Sequence, residues 1–259
     1  MIAADARLAQ LAAYPRLPAG NPFLDGLLGG GLLHDILHVV AGPGRWTARL
    51  LEALAVSAQA PAGKGGAGCT RVAYVLCDNR FDPYHCTQVA RAAGLDPGAA
   101  LDCIAIARGF NWDQVVEACT RLPGQVAPGT LVVVSGLTDP FDPAGKANFD
   151  GLREALHAIG RCFEHEPVYA IASAPVAQGS TFKPRGGHLL YHAAGCIVTV
   201  TREDLSATTQ AMRYHLVKHP LKGEATATQA IVSPSRKVKK GQDALRSFRT
   251  LDDFGTRGE

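Results

Sequence analysis

The residues best placed for chemistry are the seven of AGPGRWT, positions 41–47. They follow an apolar segment, residues 35–40, and precede the alternating apolar pattern of a helix over residues 48–59. A strand, a Gly-bearing turn and a helix in that order offer backbone N–H groups and the positive end of a helix dipole to an anion. A phosphate-binding loop of the form GxxxxGK[ST] adds a lysine for the β- and γ-phosphates and a hydroxyl for magnesium. With Thr47 aligned as the hydroxyl, Trp46 stands at the lysine and Arg45 at the last glycine, and Ala41 best matches the opening glycine, one residue short. Trp46 neutralises no phosphate charge, and a side chain at Arg45 obstructs the backbone approach that glycine permits. Arg45 can still supply a guanidinium from a neighbouring position. Ala41, Gly42, Gly44, Arg45 and Thr47 therefore read as a degenerate nucleotide site. No resident cofactor is expected, and ATP binding without turnover is left open.

Other chemistries find less support. Gly42-x-Gly44 after a strand, with Asp78 at the end of the next one, suggests a dinucleotide- or adenosyl-cofactor enzyme. However, the third small residue is Thr47, and Asp78 lies 36 residues after Gly42, where about 20 is usual. The histidine pairs His34/His38, His188/His192 and His215/His219 are four apart. In turn or strand segments that spacing spans about 13 Å, so no metal site is expected. No Ser or Cys nucleophile with a base partner can be assembled from local motifs. Seven cysteines, an odd number without a CxxC pair, argue for reduced thiols rather than zinc or a disulfide framework.

The elements that must position these residues alternate. Strands are expected over residues 35–40, 72–77, 101–105, 131–134 and 168–172, with helices over 5–13, 48–59, 84–93, 112–122 and 149–164. Gly94 is placed as a helix C-cap, and LVVV at 131–134 suits a strand buried on both faces. Beyond Gly187, LLYHAAGCIVTVTRE and QAMRYHLVKHP alternate like antiparallel strands. The class is therefore α/β, a mainly parallel central sheet flanked by helices with antiparallel C-terminal strands. No apolar run approaches the roughly 18 residues of a membrane span, which points to a soluble, cytoplasmic protein without a membrane partner.

The net charge is only +3 over 259 residues, but it is unevenly placed. Residues 231–259 hold seven basic side chains, Arg236, Lys237, Lys239, Lys240, Arg246, Arg249 and Arg257, against four acidic ones, leaving 19 of each sign before them. A neutral body is a weak electrostatic attractor for nucleic acid; a basic tail is a stronger one. The expected organisation is an N-terminal helical extension at 1–20, a core at 21–232 and a basic tail at 233–259.

Three stretches in order carry a family resemblance: LDGLLGGGLLHDILHVVAGPGRWTARLLEAL, RVAYVLCDNRFDPYHCTQVARAAGLDP and IARGFNWDQVVEA. Together they resemble the RecA-superfamily core in its RadA and eukaryotic-recombinase branch, over about residues 24–220. The resemblance implies a RecA-like P-loop NTPase fold that assembles head to tail with the nucleotide at the interface. It also implies which residues would hydrolyse ATP. The glutamate that orients water is matched by Asp78, one methylene shorter; the magnesium aspartate by Ser135; and the γ-phosphate-sensing Asn-Gln pair by Ser173 and Ala174. Losing one preorganised donor costs on the order of 10²- to 10³-fold in rate, so several such losses point to a pseudo-ATPase.

The family's two DNA loops match residues 138–150, which carry Asp139, Asp142 and Asp150 against Lys146, and residues 177–189, where Phe182 stands beside Lys183 and Arg185. The first is a poor phosphate ligand. The second interleaves a ring with cations as single-strand binding does. The expectation is a non-hydrolysing paralogue, an accessory in recombination or DNA repair that is nucleoid- or nucleus-associated if it binds DNA. It would grip single- or double-stranded DNA, a RecA-fold recombinase or itself through Phe182, Lys183, Arg185, Arg236, Lys237, Lys239 and Lys240. A KaiC-like regulatory scaffold without DNA binding is the remaining alternative.

Overall fold

A computed structural model describes residues 4–142, 144–164, 167–204 and 209–232. In chain order the elements are α1 (Ala4–Ala13), α2 (Pro22–Leu28), β1 (Leu37–Ala41), α3 (Gly44–Ser57), β2 (Arg71–Leu76), α4 (Pro83–Ala92), α5 (Pro97–Asp102), β3 (Ile104–Arg108) and α6 (Trp112–Arg121). There follow β4 (Thr130–Ser135), α7 (Lys146–Arg161), β5 (Tyr169–Ala174), α8 (Gly187–Ala193), β6 (Cys196–Asp204), β7 (Thr209–Lys218) and β8 (Ala225–Val232).

All eight strands form one sheet in the order β3-β2-β4-β5-β1-β6-β7-β8. The strands from β3 to β6 pair in parallel, and β7 and β8 extend the sheet antiparallel. This is the expected class. Alternate side chains of β4 explain why LVVV has no polar face. Leu131 and Val133 join a core with α3 and α4, and Val132 and Val134 join a second core with α6 and α7. Burial on both faces is what places helices on both sides of a parallel sheet.

The glycines before β1 are used for their conformation. Gly29, Gly30 and Gly31 have φ of 75°, 109° and 133°. A Cβ on Gly31 would lie 2.2 Å from the carbonyl oxygen of Leu17, the group that accepts the Leu32 N–H at 2.7 Å. Gly94, with φ 68°, follows α4 as expected.

Several boundaries differ from the sequence reading. The helix expected from Ala48 starts at Gly44, so most of AGPGRWT is helical. Leu101 belongs to α5, capped by the Asp96 side chain on the Ala99 N–H, and the strand begins at Ile104. LLYHA forms α8 between Gly187 and the Cys196 strand, because the positive-φ pair Gly186 and Gly187 turns the chain into a helix where alternation had suggested a strand. His188 and His192 are consequently on a helix, with ring centroids 6.2 Å apart. Among the described residues no third ligand joins them or any other such group. β8, from ATATQAIV, was not anticipated. None of the seven cysteines is joined in a disulfide, and among the described residues no helix is long and apolar enough to cross a membrane.

Candidate functional site

In an open α/β sheet, ligands bind beyond the carboxyl ends of the strands, and here the sequence-selected residues of β1, β2, β4 and β5 converge. The turn after β1 is only Gly42 and Pro43, because β1 ends at Ala41 and α3 begins at Gly44. Pro43 stands at the N-cap without a side-chain cap bond, and it has no N–H to offer an anion. The Pro43 carbonyl accepts the Trp46 and Thr47 N–H groups at 2.9 and 3.0 Å. Thr47, buried to 2%, donates its hydroxyl to the Gly44 carbonyl at 3.1 Å. Trp46 does not face the turn as a phosphate lysine would; its ring packs edge-on against Tyr214 of β7, centroids 5.7 Å apart.

The space over this turn holds an arginine that the sequence reading passed over. A Cβ on Gly44 would lie 2.7 Å from Nη1 of Arg80. That guanidinium donates to Asp139 Oδ2 at 2.8 Å and stands 3.7 Å from Asp78 Oδ2. Arg185 closes the group from the other side, donating Nη2 to the carbonyls of Thr138 and Asp139 at 2.5 and 2.8 Å and lying 3.6 Å from Asp139 Oδ1. Residues 138–150, read from the sequence as a poor phosphate ligand, contribute Asp139 to an ion-pair cluster and bury Thr138 completely. Arg185 is tied into that cluster while its side chain stays 32% exposed.

Two of the positions matched to the family's hydrolytic residues, Asp78 and Ser135, are bonded to each other. Ser135 donates its hydroxyl to Asp78 Oδ2 at 2.9 Å, and the Arg80 N–H reaches Asp78 Oδ1 at 3.2 Å. Ser173 accepts the Gly136 N–H at 2.8 Å. The Asp78 side chain is only 1% exposed, and burial raises its pKa above the usual carboxylate value. Gly136, with φ 69°, leaves room for it: a Cβ there would fall 2.4 Å from Asp78 Cβ. Ala174 is buried and apolar at the end of β5.

Beside this cluster Arg45, Arg49, Arg80, Phe81 and Asp82 line a cleft of about 380 Å³. Arg49 is bound to Asp82 at 2.8 Å. Behind it Glu52, fully buried, meets His85 Nδ1 and the Asp82 N–H, each at 2.8 Å. The sequence offered one clue to these partners, the helix-starting Asp-Pro at 82–83; the Glu52 contact lies 30 or more residues away and leaves no local pattern. In the second candidate loop, Phe182 is 43% exposed, with the Lys183 ammonium 5.5 Å from its ring centroid. Arg236, Lys237, Lys239 and Lys240 lie outside the described residues.

The family model described as Rad51 matches residues 13–149, a span that contains the turn, Asp78 and the Ser135 strand. The chain belongs to the Rad51 family. It has the RecA-superfamily core of a eukaryotic-recombinase type. Relatives include the meiotic recombination protein DMC1 homolog of Glycine max, 29% identical over 197 residues, covering 69% of this chain and 56% of the relative. The meiotic recombination protein DLH1 of Candida albicans is also 29% identical over 197 residues, covering 69% of this chain and 60% of its own length. DMC1 of Saccharomyces cerevisiae is 29% identical, with 69% and 59% covered. This Rad51-family chain therefore spans 56 to 60% of the length of these relatives. Because the match includes Gly42, Gly44 and Asp78, the dinucleotide-cofactor reading of those residues gives way to it.

Proposed function

We propose that this Rad51-family chain is a non-hydrolysing paralogue, an accessory in homologous recombination or DNA repair that acts by binding. The observation that carries the reading is the cation over the turn. Arg80 stands over Gly44 between Asp78 and Asp139, in a turn that lacks the family's lysine and has a proline at its helix cap. Phosphoryl transfer depends on positioned charge. Here the charged groups are committed to each other, and the hydroxyls of Thr47 and Ser135 are spent on the Gly44 carbonyl and on Asp78.

Binding falls to Phe182, Lys183 and the tail cations Arg236, Lys237, Lys239 and Lys240, with DNA, a RecA-fold recombinase or a second copy as partner. Arg185 supports that loop from within. Fluorescence anisotropy with a labelled single-stranded oligonucleotide tests the DNA arm. Phe182→Ala should weaken binding by about 1–3 kcal/mol, the worth of one base stack. Lys183→Ala should lower the slope of log K against log salt by about 0.7. Binding absent in the parent chain would leave protein partners as the only grip, and binding present but unchanged in both variants and in a tail Lys/Arg→Ala variant would overturn the assignment of DNA contact to these residues.

A further inference from the structure

Residues 175–186, which connect β5 to α8, present Phe182 and Lys183 on a closed hairpin. The Ala177 N–H donates to the Lys183 carbonyl and the Arg185 N–H to the Pro175 carbonyl, each at 2.8 Å. At the tip the Ser180 hydroxyl oxygen accepts the Phe182 and Lys183 N–H groups at 3.3 and 3.0 Å. These bonds fix the shape of the hairpin, and its direction is fixed at the base. There the segment after β4 holds Arg185 at both ends. The Thr138 hydroxyl donates to the Arg185 carbonyl at 3.0 Å, and the Arg185 guanidinium donates to the Thr138 and Asp139 carbonyls.

Asp139 adds charge to that grip and extends it. Its Oδ1 lies 3.6 Å from Arg185 Nη2 and its Oδ2 lies 2.8 Å from Arg80 Nη1, the guanidinium that stands over Gly44. One carboxylate thus joins the turn after β1 to the base of the hairpin, and every link in the path is a group of the chain itself. The Asp139 side chain is 23% exposed, so water and salt screen the two contacts only in part. Resting on the reading that Phe182 and Lys183 grip DNA, we propose that Asp139 is a positioning residue for that grip. It holds the hairpin in its binding position from the degenerate turn, without a nucleotide. The sign of its effect is diagnostic. An acid beside a DNA loop repels phosphate, so by electrostatics alone its removal strengthens binding; a positioning acid, once removed, weakens it.

The test compares the full chain with Asp139→Asn, which keeps the side chain's shape and removes its charge. Amide hydrogen exchange without nucleic acid reads the hairpin at Ala177, Phe182, Lys183 and Arg185, while Val132 and Val133 of β4 report on the fold. Hairpin exchange in the variant should be about three- to tenfold faster, with β4 unchanged, and Asp139→Glu should return it toward the parent. Added salt should speed hairpin exchange in the parent and leave the variant nearly unaltered, a response that a merely structural loss does not give. ATP with magnesium should leave the parent's hairpin exchange unchanged. Should β4 exchange also rise in the variant, the parent's responses to salt and ATP decide. In fluorescence anisotropy with a single-stranded oligonucleotide, the variant should bind about three- to tenfold more weakly. Hairpin exchange equal in parent and variant, slowed by ATP or insensitive to salt in the parent, overturns the proposal, as does oligonucleotide binding that is unchanged or tighter in the variant. If the parent binds no oligonucleotide, the DNA reading fails by itself, and the exchange arm still decides whether Asp139 positions the hairpin.

Discussion

Restoring an aspartate at position 135 should damage the fold and not revive a metal site. In Ser135→Asp the new carboxylate would sit about 4 Å from Asp78, judged from the 2.9 Å between Ser135 Oγ and Asp78 Oδ2. Ser135 is fully buried, and the Asp78 side chain is 1% exposed. Two like charges at 4 Å repel by about 4 kcal/mol at an effective dielectric of 20. Arg80 offers little relief, since it is shared with Asp139. The pair therefore holds one proton, with one carboxyl pKa raised. Because the raised group is neutral in acid, the penalty should be small near pH 4 to 5 and grow as pH rises through the raised value. The expected loss is about 2–4 kcal/mol at pH 7.5, measured by urea unfolding at pH 5 and 7.5. Ser135→Ala, which removes only the donor to Asp78, should cost about 1–2 kcal/mol. A loss below about 1 kcal/mol at pH 7.5, or recovery of stability with millimolar magnesium, would refute the reasoning.

Two further outcomes test other parts of the structure. Gly31→Ala, which combines a φ of 133° with a Cβ 2.2 Å from the Leu17 carbonyl oxygen, should lose about 3 kcal/mol or more of stability in urea unfolding. His38, fully buried on β1, accepts the Leu33 N–H through Nε2 and faces the Ala170 carbonyl through Nδ1. Burial lowers its pKa to about 3 from an ordinary 6.5. Since the unfolded chain binds the proton first, its contribution is complete above pH 6.5 and is lost as pH falls toward 3, on the order of 4–5 kcal/mol in all. His38→Gln should flatten the slope of stability against pH between 4 and 6 by about one proton. His219, lowered to about 4 mainly by burial, keeps its own share of that slope.

What was legible in the sequence was local. LVVV had to be a doubly buried strand because none of its residues is polar, and the GGG turn and Gly94 marked backbone that other residues resist. The candidate site was half legible. By type, Trp46, Asp78 and Ser135 depart from the lysine, glutamate and aspartate that the family resemblance implies. Their surroundings were not visible, since Arg80 meets Asp139 across 59 residues of sequence and Trp46 packs on Tyr214. The helix start at Gly44 was misplaced for the same reason: glycine and proline read as loop, while packing at Trp46 and the buried Thr47 fixes the first turn. β8 escaped notice because its alternating residues are mostly small or polar, and only pairing with β7 defines it.

The most direct measurement of the central claim is steady-state ATP turnover by the full chain with magnesium, with and without single-stranded DNA. Phosphate release indistinguishable from the uncatalysed background in both conditions is the predicted result. Magnesium-dependent hydrolysis at an ordinary ATPase rate, abolished by Asp78→Ala, would contradict it.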